Sequence, residues 1–214
     1  MAKRSAPPPR RLVHLDERGF ARMVDVGAKP PTHRVAVAEA YVRMKPETIE
    51  LLLAGALDKG DALAVARIAG IQAAKKTPDL IPLAHPIGLT HAAVDVQIER
   101  EKSCVRIETR AETFGSTGVE IEALFAASIA ALAIYDMAKA HDRAMVIERV
   151  QLVMKAGGRS GTYRRKERKG DTAPAKKPPQ RKPVVGGSSP PAGLQSRGSA
   201  RKPKPKLRGS FGPT

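Results

Sequence analysis

The chain holds one cysteine, no tryptophan, and only four phenylalanines and three tyrosines among its 214 residues. With Cys104 alone, an internal disulfide framework is excluded, and so is a cysteine-rich zinc or iron–sulfur site within one chain. Long uncharged apolar runs are also missing. The longest, Ala123 to Tyr135, has 13 residues, short of the ~18–20 that a bilayer-spanning helix requires. The N-terminal MAKRSAPPPRR is basic but lacks an apolar segment, so it does not read as a secretory signal. These absences point to a cytoplasmic protein with no membrane contact.

Acidic residues are scarce only at the ends. The chain carries 38 Lys and Arg against 21 Asp and Glu, a formal net charge of +17. Residues 1–11 hold four basic residues and no acid, and residues 164–214 hold 15 basic residues against Glu167 and Asp171. Residues 12–163 are left balanced, with 19 of each sign. The basic character therefore says nothing about the middle. The C-terminal segment also has nine prolines, seven glycines and one aromatic, Phe211. Too little apolar surface exists there to offset the entropy of ordering. The chain thus divides into a disordered basic N-terminus (1–11), one domain (12–161) and a disordered Pro/Lys/Arg-rich tail (162–214). The tail suits nonspecific, salt-sensitive contact with polyanions. Without aromatic interleaving it offers bases no stacking platform.

Inside the domain the hydrophobic period switches repeatedly. Arg34 to Met44 alternates, with Val35, Val37, Glu39 and Tyr41 on one side, and reads as a strand. Pro46 suits the first position of a helix running PETIELLLAGAL. Asp61 to Lys75 has helical spacing and stops at Thr77-Pro78-Asp79. Ala92 to Glu99 and Cys104 to Thr113 both alternate and flank a short turn, a hairpin signal. Glu120 to Ala140 is apolar on nearly every face and alanine-rich, the pattern of a buried helix. Val146 to Met154 is a further strand. The mixed order predicts an α+β fold, with helices packed on one face of a mostly antiparallel sheet.

Four places could carry chemistry: Lys59-Gly60-Asp61; the proline-punctuated DLIPLAHP around His85; the glycine-framed GSTGVEIE before the buried helix; and the helix end holding Asp136 and Lys139. A basic glycine loop, Lys155 to Gly161, follows the last strand. Singly, each has a plain reading. A histidine before proline is commonly a loop residue, and Asp136 with Lys139 at i, i+3 is commonly a surface ion pair. Neither glycine loop fits GxxxxGK[ST], which argues against a P-loop nucleotidase. His85 and His91 have no further His or Cys at ligand spacing, so no metal site is expected.

Together, MVDVGAKP, KGDALAVARIAGIQAAKKTPDLIPLAHP, GSTGVEIEALFAASIAALAIYDMAKA and VMKAGGRSG resemble the cyclic pyranopterin monophosphate synthase (MoaC) family in order and spacing. The resemblance covers about residues 12–161. It implies a ferredoxin-like α+β domain assembled as a homohexamer, a trimer of dimers. It implies a lyase of molybdenum cofactor (molybdopterin) biosynthesis, converting (8S)-3′,8-cyclo-7,8-dihydroguanosine 5′-triphosphate to cyclic pyranopterin monophosphate with release of pyrophosphate. Lys59, Lys139 and Asp136 then fall on catalytic positions. Leu83, Ala84, His85, Glu120, Ile121 and Glu122 fall on substrate-contacting ones. No resident cofactor is implied; magnesium accompanying the triphosphate is the one candidate.

The residue types suit that chemistry on their own. Ring rearrangement needs several proton transfers, and two lysines sharing one pocket disfavour each other's charge, so that one can serve as base. A triphosphate demands fixed positive charge, for which Arg34, Lys75, Lys155 and Arg159 are the candidates. Glu120 and Asp136 lie sixteen residues apart, ~24 Å along a continuous helix. If both serve one site, they come from two subunits, and the site lies at a dimer interface. The chain departs from the family pattern at four positions. Ala84 and Ala138 stand where cysteine is usual, Ile121 where methionine is usual, and Ser116 where a basic residue is usual. A non-catalytic polyanion binder driven by the tail is the competing reading.

Overall fold

Alternation and helical spacing resolve, in a computed structural model that describes residues 15–16 and 18–166, into five strands and four helices. β1 (Thr32–Arg43) leads through α1 (Pro46–Leu53), α2 (Ala62–Lys75) and the one-turn α3 (Thr77–Leu80) to β2 (Leu89–Glu99). A 3-10 turn, Arg100–Lys102, reverses the chain into β3 (Cys104–Gly115). Then follow α4 (Glu120–Ala138), β4 (Val146–Ala156) and the short β5 (Tyr163–Arg164). The sheet order is β2-β3-β1-β4-β5, and every pairing is antiparallel. With helices inserted between β1 and β2 and between β3 and β4, this is the expected α+β, ferredoxin-like arrangement. The expected N-terminal segment 1–11 and the tail from residue 167 onward lie outside the described residues. The sheet itself continues past residue 161, because β5 pairs with Met154 and Lys155 of β4.

Local chemistry accounts for the helix boundaries. Pro46 occupies the first turn of α1, where its missing N–H breaks no helical bond. Asp61 caps α2, its carboxylate accepting from the backbone N–H of Leu63 and Ala64 at 2.9 and 3.0 Å. At Thr77-Pro78-Asp79 the chain begins the separate turn α3, and the buried Thr77 hydroxyl donates back to the carbonyls of Ala73 and Ala74. In the hairpin, Ser103 takes the left-handed conformation at φ +50°, and Arg100 bonds Glu50 through both its Nε and Nη2, tying the turn to α1.

The core is made of small side chains. On β1 the fully buried residues are Ala36, Ala38, Ala40 and Val42. The alternating set Val37, Glu39 and Tyr41 does share one side, but that side faces away from the helices. There Glu39 accepts from Arg106, Gln151 and the Tyr41 hydroxyl, and Arg149 stacks 3.9 Å over the Tyr41 ring. The alanine face receives α4, whose Ala123, Ala126, Ala127, Ala130 and Ala131 are buried. Across from α4 lies α2, where a Cβ on Gly70 would meet Val94 at 2.9 Å, the Ala126 carbonyl at 3.0 Å and Ala130 at 3.2 Å.

α4 has 19 residues, inside the expected Glu120–Ala140 span, and by length and composition alone it is apolar enough to cross a membrane. The helix extends beyond its 13-residue uncharged run to take in Glu120, Glu122 and Asp136. In the structure α4 is the core helix, packed against α2 and the sheet.

Gly70→Leu should destabilise the domain by about 1–3 kcal/mol, because overpacking a tight helix contact outweighs the gain of up to ~1 kcal/mol in helix propensity. Thermal or urea unfolding measures it; an unchanged midpoint would mean that α2 and α4 are not this closely apposed.

Candidate active site

The N-terminal end of α4 opens onto two adjoining cavities, of about 610 Å³ and about 300 Å³. They share Lys29, Thr117, Gly118 and Glu120. The larger is basic. Lys29, Arg34, Lys155 and Arg159 line it, with Glu120 as its carboxylate. Lys29 comes from the segment before β1, Arg34 from β1, Glu120 from the first turn of α4, Lys155 from the end of β4 and Arg159 from the glycine loop that follows it. Arg34 donates from Nε and Nη2 to the carbonyls of Gly115 and Ser116, at 2.8 and 3.1 Å. Ser116 Oγ in turn donates to the Lys29 carbonyl at 2.7 Å. Ser116 thereby ties the Lys29 segment to the turn. Lys155 faces Glu120 at 3.7 Å and also contacts the Ser160 hydroxyl. Gly157 and Gly158 both take positive φ, +97° and +70°. A Cβ on Gly158 would stand 2.3 Å from the Arg34 guanidinium, so glycine leaves that group its room.

The smaller cavity is more apolar, lined by Val24, Val26, Leu83, Ala84, Ile87 and Ile121, with His85 and Glu122 adding to the polar groups it shares with the larger one. His85 Nε2 lies 2.7 Å from the Val24 carbonyl. A carbonyl only accepts, so Nε2 carries the proton, and in the neutral ring Nδ1 is the acceptor. Glu122 is 2% exposed, and its Oε2 has no hydrogen-bond partner among the described residues. Burial pushes its carboxyl up to about 7, with the charge of Glu120 adding to the effect. A carboxyl of this kind can give or take a proton near neutrality.

At the opposite end of α4, Lys59 and Lys139 bracket Asp136. Lys59 Nζ donates to Asp136 Oδ2 at 2.7 Å and to its backbone carbonyl at 3.0 Å. Lys139 Nζ lies 2.6 Å from Oδ1. All three side chains are about half-exposed. Hydrogen bonds from Lys139 and then Lys59 hold the Asp136 carboxyl down to about 2. The two lysines do meet, but around an ionised carboxylate rather than directly against each other.

The sequence-expected residues therefore fall into two groups. Leu83, Ala84, His85, Glu120, Ile121, Glu122, Arg34, Lys155 and Arg159 gather at one end of α4, and Lys59, Asp136 and Lys139 at the other. Lys75 is exposed in the last turn of α2 and lines neither cavity. Sequence reasoning gave no role to Lys29, which lies on both cavities, and singled out Thr117, Gly118 and Ser160 only as members of their glycine-framed segments. The signal for Lys29 was present, since it belongs to the quoted MVDVGAKP. Among the described residues no group of three or more His, Cys, Asp or Glu stands together to hold a metal ion.

The MoaC family model matches residues 23–158. A protein from Thermomicrobium roseum named cyclic pyranopterin monophosphate synthase is 60% identical over 156 residues, which is 73% of this chain and 94% of the relative. Proteins of the same name from a Roseiflexus species and from Pelotomaculum thermopropionicum are 61% and 59% identical. These alignments cover 71% and 76% of this chain, and 96% and 94% of the relatives.

The raised carboxyl of Glu122 makes stability depend on pH. Its ordinary value is 4.5, and in the folded protein it rises to about 7. Between those values the folded state binds more protons than the unfolded one, so stability falls as pH rises through the window. Melting temperatures from about pH 5 to about pH 8 should show the parent chain losing ground to Glu122→Gln as pH rises. Parallel curves would mean that Glu122 is already ionised in the folded state.

Proposed function

The chain belongs to the MoaC family, and from that premise we propose that the two ends of α4 carry out one reaction, the synthesis of cyclic pyranopterin monophosphate. The protein is a lyase of molybdenum cofactor biosynthesis. Its substrate is the cyclic dihydroguanosine triphosphate, and pyrophosphate is the leaving product. The observation that carries the site assignment is the pair of adjoining cavities, one basic and one holding His85 and Glu122 among apolar walls. A triphosphate and a purine-derived ring need that pairing, side by side.

In this reading Lys29, Arg34, Lys155 and Arg159 hold the triphosphate by charge-assisted hydrogen bonds. Leu83, Ala84 and Ile121 pack on the ring, while His85 and Glu122 face its polar edge. Ring rearrangement then requires protons to be moved between carbon, nitrogen and oxygen. Closure of the cyclic phosphate forms a bond from a sugar-derived hydroxyl oxygen to the α-phosphorus and breaks the bond to the β-phosphate oxygen. The hydroxyl proton passes to a base, and the electron pair leaves on pyrophosphate. Lys59 and Lys139 are the proton carriers. Asp136, ionised at all working pH values, holds both in place. A magnesium ion riding on the triphosphate would meet one carboxylate in the larger cavity, Glu120, already facing Lys155. That donor set does not fit a resident cation, and no step is assigned to one.

The separation along α4 supports a site shared between subunits. Glu120 and Asp136 stand on one continuous helix, ~24 Å apart at the usual rise. One substrate cannot reach both on the same protomer. In this reading the Lys59–Asp136–Lys139 cluster of one subunit completes the cavities of another, and the family resemblance extends the assembly to a homohexamer built as a trimer of dimers. Cytoplasmic location and polyanion contact through the tail belong to the same proposal, on the grounds of composition and charge alone.

Lys59→Ala and Lys139→Ala should each abolish pyrophosphate release while leaving the melting temperature close to that of the parent. Near-normal turnover in either would remove that lysine from the proton-transfer role. Mixing inactive Asp136→Ala with inactive His85→Ala should restore activity, to roughly a quarter of the parental value for random two-fold pairing. No recovery after subunit exchange would place the whole site within one subunit.

A further inference from the structure

Lys59 sits on an exposed connection between α1 and α2, in which only Leu57 is buried. Glycines with positive φ flank its central residues, Gly55 at +62° and Gly60 at +87°. One contact to α4, from Lys59 to Asp136, would leave this short segment free to pivot about that contact. A second contact exists. Asp58 Oδ2 lies 3.4 Å from Nε2 of His141, which follows the C-terminal end of α4.

His141 is the rigid half of the pair. Its backbone N–H donates to the Ala138 carbonyl at 2.9 Å. Its neighbour Asp142 is 2% exposed and accepts from the backbone N–H of Lys45 and of Ala144, at 2.8 and 3.0 Å. The His141 side chain is 28% exposed and that of Asp58 76%. Neither residue lines the cavities or touches the Lys59–Asp136–Lys139 cluster.

We propose that Asp58 and His141 are positioning residues for Lys59, forming a latch that sets the direction from which its ammonium reaches Asp136. Adjacent residues of the loop grip two points on the helix end, Asp136 and His141. Two points fix orientation, where one fixes only distance. A pair this exposed contributes little to global stability. Its loss is therefore read in turnover rather than in melting temperature. The inference rests on the proton-transfer role given to Lys59 above.

The test uses the full chain, with Asp58→Ala, His141→Ala, the double variant and His141→Gln. Both single variants should lower kcat roughly three- to tenfold, as expected for a misaligned catalytic group, with KM and melting temperature unchanged. The double variant should be no worse than either single one, since both remove the same contact. His141→Gln keeps an N–H donor in reach of Asp58 and should recover most of kcat. Unaltered kcat in both single variants, or fully additive losses, would overturn the latch. The parent chain is the control for the functional reading. Should the parent itself show no turnover, that reading fails and amide hydrogen exchange over residues 55–60 decides the latch alone. Faster exchange in His141→Ala would support it, and equal exchange would overturn it.

Discussion

The close seating of α4 on the alanine face of β1 governs everything else in the structure. Ala36, Ala38 and Ala40 meet Ala123, Ala127, Ala130 and Ala131, all without solvent exposure. Gly70 of α2 leaves room for the Ala126 carbonyl and Ala130 of α4 to approach closely. Small residues on three facing elements bring backbones close together, and interiors packed to crystal-like density transmit any misfit. The Thr109 hydroxyl, donating to the Ala123 carbonyl at 2.7 Å, pins the helix to β3 at the same depth. The axial position of α4 follows from these contacts. So does the location of its two ends, where the two groups of candidate site residues lie.

Those ends treat the same functional group in opposite ways. At the N-terminal end Glu122 is desolvated and lacks a partner for one oxygen, so its neutral form is favoured up to about 7. At the C-terminal end Asp136 is open to water and gripped by two ammonium groups, so its ionised form persists down to about 2. The contrast follows from burial on one side and paired charge on the other. One carboxyl is equipped to exchange a proton near neutral pH, and the other to hold lysines in register. In the proposed site, which uses both carboxyls, two copies of the helix would supply the two ends.

Departures from the family pattern read differently once the structure is in hand. Ala84 is part of an apolar wall that includes Leu83 and Ile121, where a small side chain suffices. Ala138 is fully buried in the last turn of α4. Ser116, where a basic residue was expected from the resemblance, donates to the carbonyl of Lys29, a lysine that lies on both cavities.

The amino-acid order determined the elements and their succession. Pro46, Asp61, the Arg100–Ser103 turn and the alternation of two periods act within a few residues of themselves, so local chemistry sufficed to locate helix starts, the hairpin and the α+β class. The motif residues were legible as well, including the two groups that meet at opposite ends of α4. Which face of β1 is buried was not. Val37 and Tyr41 are larger apolar residues than the alanines they alternate with, yet the alanine face is the core, and of the expected set only Val35 is buried. Lys29 and Lys75 are both lysines in quoted motifs. Only the fold separates them, by carrying one onto the cavities and the other out to solvent. The Asp58–His141 contact joins residues more than eighty positions apart, and the raised carboxyl of Glu122 arises from burial that no local pattern encodes. Proximity and desolvation are properties of the packed chain, and only the tertiary structure could decide them.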